Sequence, residues 1–323
     1  MSETVGFIGL GTMGGPMAGH LARRGVRLVV HDTSAAATDA LVKLEGVVAA
    51  PSPADVAARS GVLFTCLPND EIVRAAYLGK DGIIAAGGAG LVTCDCSTVS
   101  PETTRAVSSA LEQRGITHMD TPMLGSQPQA QSGEIFFIVG GDAAKLPVIE
   151  PYLTIMGRLH MHVGGSGSAN RVKLIHNGLA AVVSVAVAEA LAMTVQSGVD
   201  PYVMYDVIRQ GGGMAHGTYF ERRAKRILDG DFTPTFTAAL MRKDAGLALE
   251  LASGVKVPAP LLEETKRTYD EAVAGGWGRD DFSAVTHVVE RRIGRPLSMT
   301  QGLAGSTSGG QKHDGQGAGR AAR

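Results

Sequence analysis

At 323 residues the chain is longer than one hydrophobic core usually supports, so two domains plus connections are expected. Its 30 Lys+Arg against 31 Asp+Glu, a formal net charge of −1, argue against nucleic acid or an anionic membrane as the main partner and leave a small-molecule site as the default. No run approaches the roughly 18 consecutive apolar residues of a membrane span, and "MSETVGFIGLG" enters a strand pattern without a charged leader or cleavage site, the expectation for a cytoplasmic protein.

The first strand, "TVGFIGL", runs into Gly9-x-Gly11-x-x-Gly14 and then a helix. A bare GxGxxG is weak evidence, but here the required strand precedes it and the required helix follows. Gly9 permits the tight turn, Gly11 lets a pyrophosphate approach the backbone, and Gly14 allows close helix packing at a positive helix N-terminus. The whole turn, with Leu10, Thr12 and Met13 between the glycines, is therefore a candidate cofactor cradle. The second strand, "RLVVHD", ends on Asp32, eighteen residues after Gly14, where a carboxylate accepts the ribose hydroxyls of NAD and repels the 2′-phosphate of NADP. No arginine follows in "TSAAATD", so NAD is expected over NADP. The competing reading of Asp32 is a helix N-cap.

Further strands are predicted in "GVLFTCLP", "LVTCDCS", "GITHMD", "EIFFIVGG" and "RLHMHVG". Helical patterns lie between several of them, one opening after Asn69 and one on Ser100, Pro101 and Glu102. This alternation predicts an α/β, Rossmann-type doubly wound parallel sheet. Cys66, Cys94 and Cys96 fall inside apolar strand runs, as reduced core thiols do, and no spacing completes a metal set. His20, His160 and His162 read as ordinary helix-flank and strand residues.

After "GGSGSAN" the texture becomes wholly helical, with segments expected at 168–197, 200–210, 214–229, 235–253, 258–274 and 281–293. The expected organisation is a dinucleotide-binding domain over 1–165, an all-helical substrate and oligomerisation domain over 166–298, and a flexible tail over 299–323, whose "QGLAGSTSGGQKHDGQGAGRAAR" holds seven glycines and one large aliphatic residue. The first helix, "RVKLIHNGLAAVVSVAVAEALA", is so apolar that it is expected to be buried on nearly all sides, most easily in a homodimer or homotetramer. It also carries Lys173, His176 and Asn177 at i, i+3 and i+4, on one face. On this stretch alone a catalytic lysine and a helix-start lysine reaching water are equally good readings.

Taken together, "GFIGLGTMGGPMA", "LPND", "CDCSTVSP", "DTPMLGS", "GSGSANRVKLIHN" and "FTAALMRKDAGLALELA" resemble, in order, the motifs of the β-hydroxyacid dehydrogenase family, which includes 3-hydroxyisobutyrate dehydrogenase and tartronate semialdehyde reductase. The resemblance covers residues 4 to about 295. It implies an NAD-dependent oxidoreductase moving a hydride between the cofactor and a small 3-hydroxy acid or its semialdehyde. Lys173 would be the catalytic acid/base and Asn177 its partner at the substrate oxygen. Leu67, Pro68 and Thr98 would line the nicotinamide half of the cofactor. Lys243 would close over cofactor and substrate with Asp244 beside it, and Gly125 and Ser126 would meet the substrate carboxylate. Outside the motifs, Thr98 would read as a helix cap and Lys243 as a solvated helix charge.

Two departures stand out. Leu124 occupies the position of the family's loop serine, which removes one hydroxyl donor for the substrate. His176 stands where many members have a second asparagine, as in the related 6-phosphogluconate dehydrogenases, but the glutamate and tyrosine that follow there are absent. The alternatives are a reductase of another carbonyl or imine on the same fold, and a non-catalytic dinucleotide sensor. Retention of Lys173 argues against the imine version and against the sensor; a reductase of another carbonyl stays open.

Overall fold

The computed structural model describes residues 4–298; the expectation of a flexible tail lies outside the described residues. The first half alternates strands and helices: β1 (Val5–Ile8), α1 (Gly14–Arg23), β2 (Leu28–His31), α2 (Ala35–Leu41), β3 (Val47–Ala49), α3 (Pro53–Ala58), β4 (Val62–Thr65), α4 (Asp70–Leu78), α5 (Ile83–Ala86), β5 (Val92–Asp95), α6 (Pro101–Glu112), β6 (Thr117–Asp120), β7 (Met123–Leu124), α7 (Gln127–Ser132), β8 (Ile135–Gly140), α8 (Leu146–Met156) and β9 (Gly157–Gly164). Helices alone follow, apart from short 3₁₀ turns: α9 (Ser168–Gln196), α10 (Pro201–Gly211), α11 (Thr218–Asp229), α12 (Ala238–Gly254), α13 (Pro260–Ala274) and α14 (Thr286–Ile293).

The sheet runs β3-β2-β1-β4-β5-β6-β8-β7, with β9 on the other side of β8. From β3 to β6 every pairing is parallel, for example Val5↔Leu28 and Val5↔Val62. Strand side chains alternate between two apolar layers: Val5, Phe7, Leu28, Val30, Val62 and Phe64 pack on one face, and Ile8, Val29 and Leu63 on the other. Such runs, apolar on both faces, are what a sheet covered by helices on each side requires.

The doubly wound, parallel-dominated sheet is as expected; beyond β6 it gains antiparallel pairings. β8 is antiparallel to β6 through Asp120↔Gly140, and β7 is antiparallel to β8. A parallel return needs a crossover of a dozen or more residues, whereas the segment between β6 and β8 is spent on the two-residue β7 and the six-residue α7. Where the eleven-residue α8 does cross over, β9 returns parallel to β8.

Helix starts follow local chemistry. Asn69 Oδ1 accepts the Ile72 amide at 2.9 Å and Ser100 Oγ the Thr103 amide at 3.1 Å, both N-caps. The start of α9 has no capping side chain of its own; its N-cap is Gly167, at φ 79°. The Asp120 carboxylate at the end of β6 replaces one, accepting the Gly167 amide at 2.9 Å and the Asn170 amide at 3.0 Å. A buried anion there also faces the positive end of the helix. By length and apolarity α9 is long enough to cross a membrane, yet half of its most apolar window is buried inside the protein. Around it Ala188, Leu191 and Val195 pack with Tyr205, Phe220 and Ile227, and Ala181 and Val185 pack with Met241, Ala245, Tyr269 and Phe282.

Candidate active site

Strand order reverses between β1 and β4, the switch point where open α/β sheets leave a crevice at the carboxyl ends of their strands. A cleft of about 910 Å³ lies there. Gly9 closes β1 at φ 88°, and a Cβ on it would lie 2.3 Å from the Cys66 carbonyl oxygen. A Cβ on Gly14 would lie 1.9 Å from the Gly9 oxygen, while one on Gly11 would meet nothing within 4 Å. Two glycines are thus required by the turn itself, and the third leaves open space on the cleft side, which suits a dinucleotide pyrophosphate.

Asp32 borders this cleft with His31 and Thr33. It is not the cap of α2, a position taken by Ser34; its oxygens instead accept the Leu10 amide at 2.6 Å and the Ser34 amide at 2.7 Å. A carboxylate has about four acceptor directions, so capacity for ribose hydroxyls remains. The Leu10 side chain is buried in the core and does not border the cleft. Leu67, Pro68 and Thr98 do, and Thr98 is no cap either, since Ser100 caps α6.

At the other end, Lys173, Lys243 and Asp244 meet in the cleft wall. Lys243 is no solvated charge: its Nζ donates to the Thr98 carbonyl at 2.7 Å and the Pro68 carbonyl at 3.2 Å, tying α12 to the ends of β4 and β5. It also lies 3.1 Å from Asp244 Oδ1, in an ion pair without hydrogen-bond geometry, since that oxygen makes no hydrogen bond. Asp244 Oδ2 accepts Asn177 Nδ2 at 2.6 Å, and Asn177 Oδ1 lies 3.0 Å from His176 Nδ1. Asn177 is accordingly behind the cleft wall, its amide fixed from both ends.

Lys173 is buried, and no hydrogen bond or ion pair holds its ammonium among the described residues. Burial pushes its pKa down to about 8, Asp244 holding it up in part and Lys243 adding to the fall. A lysine so placed can take or release a proton near neutral pH.

In the loop after β7, Gly125 (φ 133°) and Ser126 border the cleft. Leu124 lies in β7, paired with Phe136 of β8, and does not border the cleft. The Ser126 amide and hydroxyl both donate to Gln129 Oε1 at 2.9 Å. Sequence reasoning did not single out Gln127, Ile72, Pro234 or Thr235, which also line the cleft, although Phe236 beside them opens a motif it did quote. The proline and aromatic just before α12 were the available signal for the last two.

Other polar groups are structural. His20 Nε2 lies 3.0 Å from the Ala130 carbonyl and His162 Nε2 3.0 Å from that of Gly141. The three cysteines are free; burial pushes Cys66 up to about 12 and raises Cys94 and Cys96 as well, far from thiolate reactivity. No group of three or more His, Cys, Asp or Glu able to hold a metal occurs among the described residues.

Sheet order, glycine turn and cleft define a dinucleotide-binding oxidoreductase of Rossmann type. Residues 4–165 match the model of the NAD-binding domain of 6-phosphogluconate dehydrogenase, and residues 167–289 that of the NAD-binding segment of NADP-dependent 3-hydroxyisobutyrate dehydrogenase. The chain is 35% identical to 2-(hydroxymethyl)glutarate dehydrogenase of Eubacterium barkeri, over 93% of this chain and 99% of that one. It is 36% identical to 3-hydroxyisobutyrate dehydrogenase of Pseudomonas aeruginosa, over 80% and 88%. A solved structure of Mycobacterium tuberculosis 3-hydroxyisobutyrate dehydrogenase with L-serine superposes with a TM-score of 0.81 at 30% identity, covering 90% of this chain and 99% of that one. The chain belongs to the β-hydroxyacid dehydrogenase family and is a 3-hydroxyisobutyrate dehydrogenase-like oxidoreductase acting on CH–OH groups.

Proposed function

We propose that the protein oxidises a small 3-hydroxy acid, and in reverse reduces its semialdehyde, with NAD as cofactor and Lys173 as the general acid/base. The observation that carries this reading is the buried, unpartnered Lys173 in the wall of the cleft. In this reading residues 1–165 cradle the dinucleotide along Gly9–Gly14, Asp32, Leu67, Pro68 and Thr98, and the helices from residue 166 complete the substrate end. The bound nicotinamide supplies the two-electron acceptor. Neutral Lys173 accepts the hydroxyl proton as the carbinol carbon loses its hydride. In reduction the ammonium stabilises the charge growing on the carbonyl oxygen and returns the proton to it. Asn177, held by Asp244 and His176, fixes the wall beside Lys173, and Lys243 closes the mouth.

Asp32 supports NAD over NADP by repelling a 2′-phosphate. α9 exposes Val172, Ile175, Leu179 and Met193, spaced at three, four and fourteen residues along one side, which supports burial against a second copy in a homodimer or homotetramer. The decisive assay follows NADH absorbance with 3-hydroxyisobutyrate, L-serine, 2-(hydroxymethyl)glutarate and L-threonate. Turnover of at least one is expected; absence of turnover with all of them, and with the matching semialdehydes, would refute the reading.

A further inference from the structure

Two pieces of the proposed reaction site come from distant parts of the chain. Cys96, Ser97 and Thr98 come from the loop after β5, and Lys173 comes from α9. Their relative placement matters, because an error of about 1 Å in a reacting geometry can reduce a rate by about 10²-fold. The groups that join the two pieces are therefore part of the catalytic design.

Asn170 is one of them. It lies one helical turn before Lys173 and is fully buried. Its Oδ1 accepts the Val99 amide at 3.3 Å, the residue after Thr98, and its Nδ2 donates to Thr104 Oγ1 on α6 at 3.1 Å. Its own backbone amide donates to Asp120 at the end of β6. One side chain thus fastens the cofactor-facing loop, α6 and the first turn of α9 together. The assignment of its oxygen and nitrogen is fixed by the Val99 N–H, which can only donate and so must face the oxygen, leaving the nitrogen to the Thr104 hydroxyl. Three-residue spacing then sets Lys173 relative to that anchor through rigid helix geometry.

We infer that Asn170 is a positioning residue of the reaction, acting through the helix to hold Lys173 at a fixed place relative to the Thr98 loop. The inference rests on the proposed role of Lys173. No other residue on α9 makes a hydrogen bond to the 96–99 loop among the described residues.

The test compares Asn170→Ala and Thr104→Val, the second nearly isosteric and removing the Nδ2 acceptor together with the hydroxyl's own 3.3 Å bond to the Ser100 carbonyl inside α6. Three quantities are read: hydrogen exchange at the Val99 amide in the cofactor-free protein, the Kd of NADH by fluorescence, and kcat with the best substrate of the panel above, per NADH-binding site. Asn170→Ala is expected to speed Val99 exchange and to lower kcat tenfold to a hundredfold, with the NADH Kd within threefold of wild type. Thr104→Val should show the same changes to a smaller extent. Faster exchange with kcat unchanged in both variants would overturn the positioning role and leave the proposed function standing. If Asn170→Ala does not fold, Thr104→Val decides alone: unchanged exchange and unchanged kcat there overturn the inference. Failure of the underlying reading would show separately, as undiminished turnover in Lys173→Ala.

Discussion

Two glycines of the turn should respond oppositely to the same substitution. A Cβ on Gly14 would lie 1.9 Å from the Gly9 carbonyl oxygen, backbone against backbone, so the turn and the start of α1 must separate. Overpacking of this kind costs about 1–3 kcal/mol or more, and since about 1 kcal/mol moves Tm by roughly 2–4 °C in a domain of about 150–250 residues, Gly14→Ala should lower the Tm of the dinucleotide-binding part by several degrees and weaken NADH binding with it. Gly11 has no atom within 4 Å of its would-be Cβ and is not in the left-handed region. Gly11→Ala should therefore leave Tm unchanged or raise it slightly, because alanine restricts the unfolded chain by about 0.4–1 kcal/mol. The added methyl stands where the pyrophosphate approaches, so the NADH Kd should rise at least tenfold. Calorimetry and NADH fluorescence on the same preparations separate the two effects. Wild-type NADH affinity in Gly11→Ala, or wild-type Tm in Gly14→Ala, would refute the assignment of the turn as a cofactor cradle built on these contacts.

Asp32→Ala should narrow the preference for NAD over NADP in kcat/KM by removing a repelling charge; equal use of both cofactors by the wild type would dispose of that role. Asp244→Asn should move the Lys173 limb of the oxidation pH profile downward from about 8 by about one unit, because the lost carboxylate favours the ammonium; a limb that stays in place would separate Asp244 from Lys173. Lys173 should also weigh against stability. Its pKa in the folded chain, about 8, lies below the ordinary 10.5, so the unfolded chain binds more protons between those values and stability rises with pH across them. Lys173→Met should thus stabilise the protein at pH 7 by about 3 kcal/mol, at about 1.4 kcal/mol per pH unit, with the gain fading from pH 8 to 10.5. A gain that persists above pH 10.5 would point to packing instead of charge.

Much of this was legible in the residues themselves. Short β-rich apolar runs, continuous because both faces are covered, marked the strands of four or more residues, and the helices from residue 168 onward lie within about five residues of the ends expected for them. β3 and β7 were not, because strands of three and two residues are too short to show alternation. The antiparallel β8 was hidden for a different reason: strand direction depends on the connection, and the short α7 gives no periodic warning. At the site, the glycine turn and Asp32 could be read locally, whereas Lys173 was ambiguous on its own stretch and stood out only through the ordered set of motifs. The Asn177–Asp244 contact joins residues 67 positions apart and the Lys243–Thr98 contact residues 145 apart, so no local pattern carries them. The same holds for Asp120 serving as the cap that α9 lacks.

The central claim is that Lys173 carries the proton, and the pH dependence of kcat/KM for alcohol oxidation in wild type, Lys173→Ala and Lys173→Arg tests it most directly. The wild-type profile is expected to rise through about 8. Lys173→Ala should lower kcat by about 10²-fold or more and lose the limb, with the NADH Kd nearly unchanged. Lys173→Arg should restore little, since guanidinium does not release its proton in this range. Near-normal turnover in Lys173→Ala with the limb still at about 8 would contradict the account.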